Sequence, residues 1–108
     1  MEKLTLEQLS ILVMEQAKAK GFGTTPEEIN VGEKLALIHS EVSEALQAYR
    51  HKKIRGPGSF EEEMGDAIQR ILHLCGALGV DVEGAILDKL AYNKDRIWNW
   101  EKMNDSHA

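Results

Sequence analysis

The sequence predicts an all-α fold, close to a four-helix bundle, on three observations. Apolar residues recur at three- and four-residue spacing in four separate stretches. Each stretch opens on a residue that favours a helix start, and two of them close at glycine. No stretch shows strand alternation, an internal repeat or low complexity.

Thr5-Leu6-Glu7-Gln8 reads as a capping box, in which a hydroxyl and an amide satisfy each other's orphan backbone donors. Leu6, Leu9, Val13 and Ala17 then form one stripe, and Gly21 and Gly23 end a first helix expected over residues 4–20. Thr25-Pro26-Glu27-Glu28 is a second start signal, with Pro26 suited to the first helical position, and is read as a short turn. Asn30-Val31-Gly32-Glu33 offers another capping box. After it Leu35, Ile38, Val42, Ala45 and Tyr49 line a long stripe, so the second helix should end near Lys53.

Gly56-Pro57-Gly58 breaks the chain sharply and marks the connecting loop. Ser59-Phe60-Glu61-Glu62 launches the third helix, with Met64, Ile68, Ile71, Cys75 and Leu78 expected inward and Gly79 at its end. Asp81 caps the fourth, where Val82, Ile86, Leu90, Asn93 and Ile97 keep helical spacing to about Trp98. Residues 103–108 read as a flexible tail.

At 108 residues the whole chain, 1–108, is expected to be one domain. A content of 43% hydrophobic and 29% charged residues is too apolar for disorder. The formal net charge of -5 argues against nucleic acid and anionic membranes as partners. No apolar run is long enough for a transmembrane helix or the core of a signal peptide, so a cytoplasmic location is expected. Cys75 is the single cysteine and sits among Ile71, Leu72 and Leu78, which predicts a buried thiol.

Two acidic patches stand out, Glu41-Val42-Ser43-Glu44 and Glu63-Met64-Gly65-Asp66. Each places two carboxylates one turn apart on one helical face. On a helix turning about 100° per residue, Glu41 and Glu44 lie about 60° and 120° from Ile38, while Glu63 and Asp66 lie about 100° and 160° from Met64. Asp66 is therefore expected to lean furthest toward solvent. An antiparallel second and third helix would bring all four together at a groove rim.

Four like charges repel and raise one another's pKa unless a cation sits among them. Only oxygen ligands are on offer, which favours Mg²⁺, with Mn²⁺ as a substitute, over zinc. No glutamate is followed three residues later by histidine, which argues against a di-iron bundle. Solvated surface charge is the competing reading, since such pairs arise easily in acidic helical proteins. Asp66 and Arg70, four residues apart, suggest an intrahelical ion pair.

Lys89, Asn93 and Arg96 share a helical stripe, either a rim suited to phosphate or base contacts or an ordinary polar border. Arg50, Lys52, Lys53 and Arg55 form a basic run that could attract a polyphosphate or simply solvate a helix end. None of His39, His51, His73 and His107 is read as a metal ligand. Trp98 and Trp100 are two apart and cannot share a helical face; packing is expected of them.

Residues 30–96 resemble the MazG-like all-α nucleoside triphosphate pyrophosphohydrolases, whose pattern is EExxE, a spacer, then ExxD. The matching residues are Glu41-x-x-Glu44 and Glu63-x-x-Asp66, supported by Ala36-Leu37-Ile38-His39-Ser40-Glu41 and by Lys89-Leu90-Ala91-Tyr92-Asn93. Ser40 stands at the first acidic position of EExxE, so four acidic positions remain rather than five. The resemblance implies hydrolysis of a nucleoside triphosphate to the monophosphate and pyrophosphate. It implies Mg²⁺ bound by Glu41, Glu44, Glu63 and Asp66, with Glu41 or Glu44 as general base and Lys89, Asn93 and Arg96 on the substrate. With the small size of the chain, it also implies a homodimer or a dimer of dimers that completes the bundle. A non-catalytic helical interaction module, or an inactive relative, is the alternative.

Overall fold

All four predicted helices form, and a side chain caps the start of each. The computed structural model describes residues 3–96 and holds α1 (Leu6–Ala19), α2 (Val31–Arg50), α3 (Phe60–Leu78) and α4 (Val82–Asp95), with no strand among the described residues. Thr5 and Gln8 make the reciprocal box: Gln8 N donates to Thr5 Oγ1 at 3.1 Å and Thr5 N donates to Gln8 Oε1 at 2.8 Å. At α2, α3 and α4 the side chains of Asn30, Ser59 and Asp81 accept from the backbone of Glu33, Glu62 and Gly84. Pro26–Glu28 is a single 3-10 turn, where the Thr25 hydroxyl donates to Glu28 at 2.9 Å.

The helix ends fall inside the expected limits. α1 stops at Ala19, and Gly21 takes a φ of 77° while Phe22 N donates back to Ala17 O. α2 stops at Arg50, three residues early, because Lys52 enters the left-handed region at φ 60° and Lys53 N closes on Ala48 O. α3 ends at Gly79, φ 71°, as read from the sequence. α4 ends at Asp95, and the expectations for Ile97, Trp98, Trp100, His107 and the tail lie outside the described residues.

α2 and α3 form an antiparallel hairpin, and α1 packs on α3. Tyr49 meets Phe60 with ring centroids 5.9 Å apart, and Glu41 meets Arg70, so partners run in opposite directions along the two helices. Met14 fills the space above Gly76, where α1 crosses α3 and any β-carbon would collide with its thioether. α4 packs only lightly on the others, with Ile86, Leu87 and Leu90 exposed.

The core differs from the predicted stripes. Buried hydrophobic side chains among the described residues are Ala17, Ala45, Ala48, Ala67, Leu72, Leu74 and Ala77. Leu9, Leu35, Val42, Tyr49, Met64, Ile68, Ile71, Leu78, Ile86 and Leu90, all expected inward, are exposed, and Cys75 is only half-buried. The reason is geometric. Alanines let α2 and α3 approach closely along one line, and the large side chains flank that line instead of filling it. No helix among the described residues is long and apolar enough to cross a membrane.

Candidate metal centre

Close approach of α2 and α3 puts a carboxylate where a core residue would otherwise sit. Glu41 shares its arc of α2 with Ala45 and Ala48 and is only 9% exposed. Glu63 comes across from the first turn of α3 and is half-buried, while Glu44, one turn beyond Glu41, is exposed. One carboxylate oxygen from each of the three lies within 4.8 Å of the others. Three of the four predicted metal ligands therefore converge.

Asp66 stands apart from this cluster. It is half-buried, one turn further along α3, and lines a cavity of about 460 Å³ together with Glu41. The expected order of exposure is thus reversed, with Glu44 rather than Asp66 the most exposed of the four. α1 produces the change, because it packs over the side of α3 that carries Asp66.

Arg70 does not pair with Asp66 as its spacing suggests. Its Nε donates to Glu41 Oε1 at 3.0 Å, from α3 to α2. Arg70 lies seven residues beyond Glu63 and so shares its face, a periodicity that marks it as a neighbour of the cluster. The same cavity is lined by Val13, Gln16 and Ala17 of α1, by Phe22 after it, by Lys34 of α2 and by Gln69 and His73 of α3. None of these was read from the sequence as a site residue, since their common environment depends on where α1 docks. The His73 ring lies 2.6 Å by Nε2 from Gly23 O and 6.3 Å from the Phe22 ring, which fastens the segment after α1 to α3.

The electrostatics of the three carboxylates are asymmetric. The hydrogen bond to Glu41, burial and the neighbouring Glu44 together raise the Glu63 carboxyl from its ordinary 4.5 to about 7. Burial pushes Glu41 upward too, but hydrogen bonds from Glu63 and Arg70 and the Arg70 charge outweigh it and hold Glu41 below 4.5. With all three ionised, Glu41 Oε2 and Glu63 Oε2 are buried and have no donor. A proton on Glu63 supplies one between them, and a cation would replace that proton.

The donor set fits a hard divalent ion. Mg²⁺ holds oxygens at ~2.1 Å, so its ligands sit ~3–4 Å from one another, and the three carboxylate oxygens here lie within 4.8 Å. There is no sulfur, and no imidazole belongs to the group.

Lys89, Asn93 and Arg96 lie on or just past α4 and do not line the cavity. Lys89 Nζ stands 4.6 Å and Arg96 Cζ 6.0 Å from the centroid of the Tyr92 ring. The Asn93 amide oxygen is buried with no hydrogen-bond partner. Lys52, Lys53 and Arg55 follow α2 as exposed residues, and Arg55 makes only a loose 3.9 Å pair with Glu61. Comparison of the chain with family models, curated proteins and solved structures finds no match.

Proposed function

We propose that this chain is a metal-dependent nucleoside triphosphate pyrophosphohydrolase, converting a (d)NTP and water to the monophosphate and pyrophosphate, with Mg²⁺ as its cofactor. The pair of buried, donorless carboxylate oxygens on Glu41 and Glu63 carries the reading. Buried carboxylate oxygens without a donor are costly, and Arg70 answers only one oxygen of Glu41. A bound cation removes that cost, which solvated surface charge would not need. The choice of reaction rests on the resemblance of Glu41-x-x-Glu44 and Glu63-x-x-Asp66 to the MazG-like pattern.

Glu41, Glu44 and Glu63 would hold the ion, and Asp66 would complete the set from the cavity wall. The ion would neutralise phosphate oxygens and make the attacking water more acidic. Of the two candidates for general base, Glu44 is the better placed, because Glu41 is committed to Arg70 and Glu44 is open to water. Arg70 and Lys34 bring positive charge to the cavity and would meet the polyphosphate. Phe22, with the amides of Gln16 and Gln69, offers an apolar wall and polar groups for a base. Lys89 and Asn93 would reach substrate only if α4, lightly packed here, closes on it. The proposed setting is the cytoplasm, and the task is nucleotide-pool housecleaning.

The test is pyrophosphate release from common and damaged nucleoside triphosphates, with Mg²⁺ and with Mn²⁺, by the wild type and by Glu44→Gln. Metal-dependent release that Glu44→Gln abolishes is the expected result. If no triphosphate turns over while Mg²⁺ still raises the melting temperature, the chain is a metal-binding helical module rather than a hydrolase.

A further inference from the structure

A second groove runs along α1, between its outer face and the corner where α3 turns into α4, and holds about 530 Å³. Its α1 residues, Glu7 to Lys18, centre about 140° round the helix from Val13, Gln16 and Ala17, which line the carboxylate cavity. The two sites share no residue. The floor is apolar: Met14 lies against Gly76, and Ile11 and Val80 stand beside them, 53% and 49% exposed.

The rim is acidic. Glu7 and Glu15 reach it from α1 and Glu83 from α4, against Lys18 as the one basic residue of the lining. No ion pair answers Glu7, Glu15 or Glu83 among the described residues. α3 also ends here, at Gly76 and Gly79, with no basic side chain in its last turn, so the negative end of its dipole adds to the field. An anionic ligand would be repelled at this rim, and a purely apolar one would leave the carboxylates facing it unanswered. From Glu7 to Lys18 the groove follows about three turns of α1, ~16 Å, the length over which a docked helix presents its anchors at i, i+4 and i+7.

We infer that this groove docks a basic amphipathic helix of a partner protein. Aliphatic side chains of that helix cover Ile11, Met14 and Val80, while its lysine or arginine side chains meet Glu7, Glu15 and Glu83. Burial of the floor supplies affinity, and the acidic rim selects the charge of the partner. The inference does not rest on the proposed hydrolysis, because no residue of the groove belongs to the carboxylate cavity.

The probe is a labelled, amidated peptide of about sixteen residues, long enough to hold a helix, with leucine at helical spacing on one face and lysine on either side of it. Fluorescence anisotropy should show it binding the full chain. The double variant Glu7→Lys, Glu15→Lys should weaken binding roughly tenfold, whereas Glu27→Lys, Glu33→Lys, the same change in net charge away from the groove, should leave it within about twofold. Because a variant could lose its fold, amide chemical shifts of the wild type give a second reading: peptide should move residues 7–18 and 76–83. Failure of the peptide to bind overturns the inference. So does equal weakening by both double variants, equal affinity for a lysine peptide without leucine, which would mean bulk charge alone, or shifts confined to other parts of the chain.

Discussion

Arg70 Nε and Glu41 Oε1 stand 3.0 Å apart, joining α3 to α2 beside three clustered carboxylates. Glu41 is the most buried ionisable side chain among the described residues, and Arg70 is its cationic partner. The bond satisfies one oxygen of Glu41 and leaves the other turned toward Glu63 without a donor. Removing either partner should therefore act on the fold and on metal binding in different proportions.

Arg70→Met should destabilise the fold by about 1 kcal/mol. A hydrogen bond to a charged group is worth ~1.5–3 kcal/mol, and Arg70's side chain, 40% exposed, calls for a discount on that figure. Urea unfolding measures it. Mg²⁺ should restore part of the loss by supplying positive charge to Glu41, and an unchanged midpoint would mean that the pair contributes nothing.

Glu41→Gln should abolish the thermal shift that Mg²⁺ produces, because the neutral amide cannot offset the ion's charge. In the proposed reaction kcat/KM should fall at least ~100-fold, a loss of ~2.7 kcal/mol of transition-state stabilisation. Calorimetric Mg²⁺ titration separates loss of metal from a later defect.

Without metal, stability should decline from pH 5 to pH 8. The folded Glu63 carboxyl titrates at about 7 against an ordinary 4.5. Below 4.5 it is protonated in both states; between 4.5 and 7 only the unfolded chain ionises, so the contribution is lost as pH rises through 7. Glu41 has the opposite sign, and its contribution is lost only at acid pH, below 4.5. Mg²⁺ should reverse the alkaline decline, and its affinity should weaken as pH drops below 7, by up to about tenfold per unit for one displaced proton. Melting curves at pH 5 and pH 8, with and without Mg²⁺, check both signs.

Two glycines of α3 should respond oppositely to substitution. Gly65→Ala should stabilise by ~0.5–1 kcal/mol, since nothing lies near the added β-carbon and alanine is the better helix former. Gly76→Val should cost about 2 kcal/mol, because Met14 occupies that space and α1 must shift. Denaturant midpoints of the two variants, measured side by side, decide it.

Helix starts were legible because a cap is a local event. Thr5, Asn30, Ser59 and Asp81 each bond a backbone N–H three residues on, and no distant contact is needed. The pairing of Glu41, Glu44 and Glu63 was also legible, because a short connection after α2 forces α3 back along it. Burial was not. The stripes Leu35 to Tyr49 and Met64 to Leu78 obey helical spacing, yet period alone does not say which part of an apolar arc meets another helix. The Asp66–Arg70 pairing failed for a related reason: spacing made the two neighbours, but the half-buried Arg70 side chain found a deeper anion across the hairpin.

By itself the sequence determined the four helices, their order and the residue types that could meet a cation, because propensity, capping and turn chemistry act over a few residues. Only the tertiary structure decided that Glu41 is buried, that Arg70 serves it, and that α1 packs over the side of α3 that carries Asp66 while Leu35, Val42 and Tyr49 stay exposed. Those outcomes depend on how closely two helices approach and where a third docks, and close packing settles both through contacts between residues far apart in the chain.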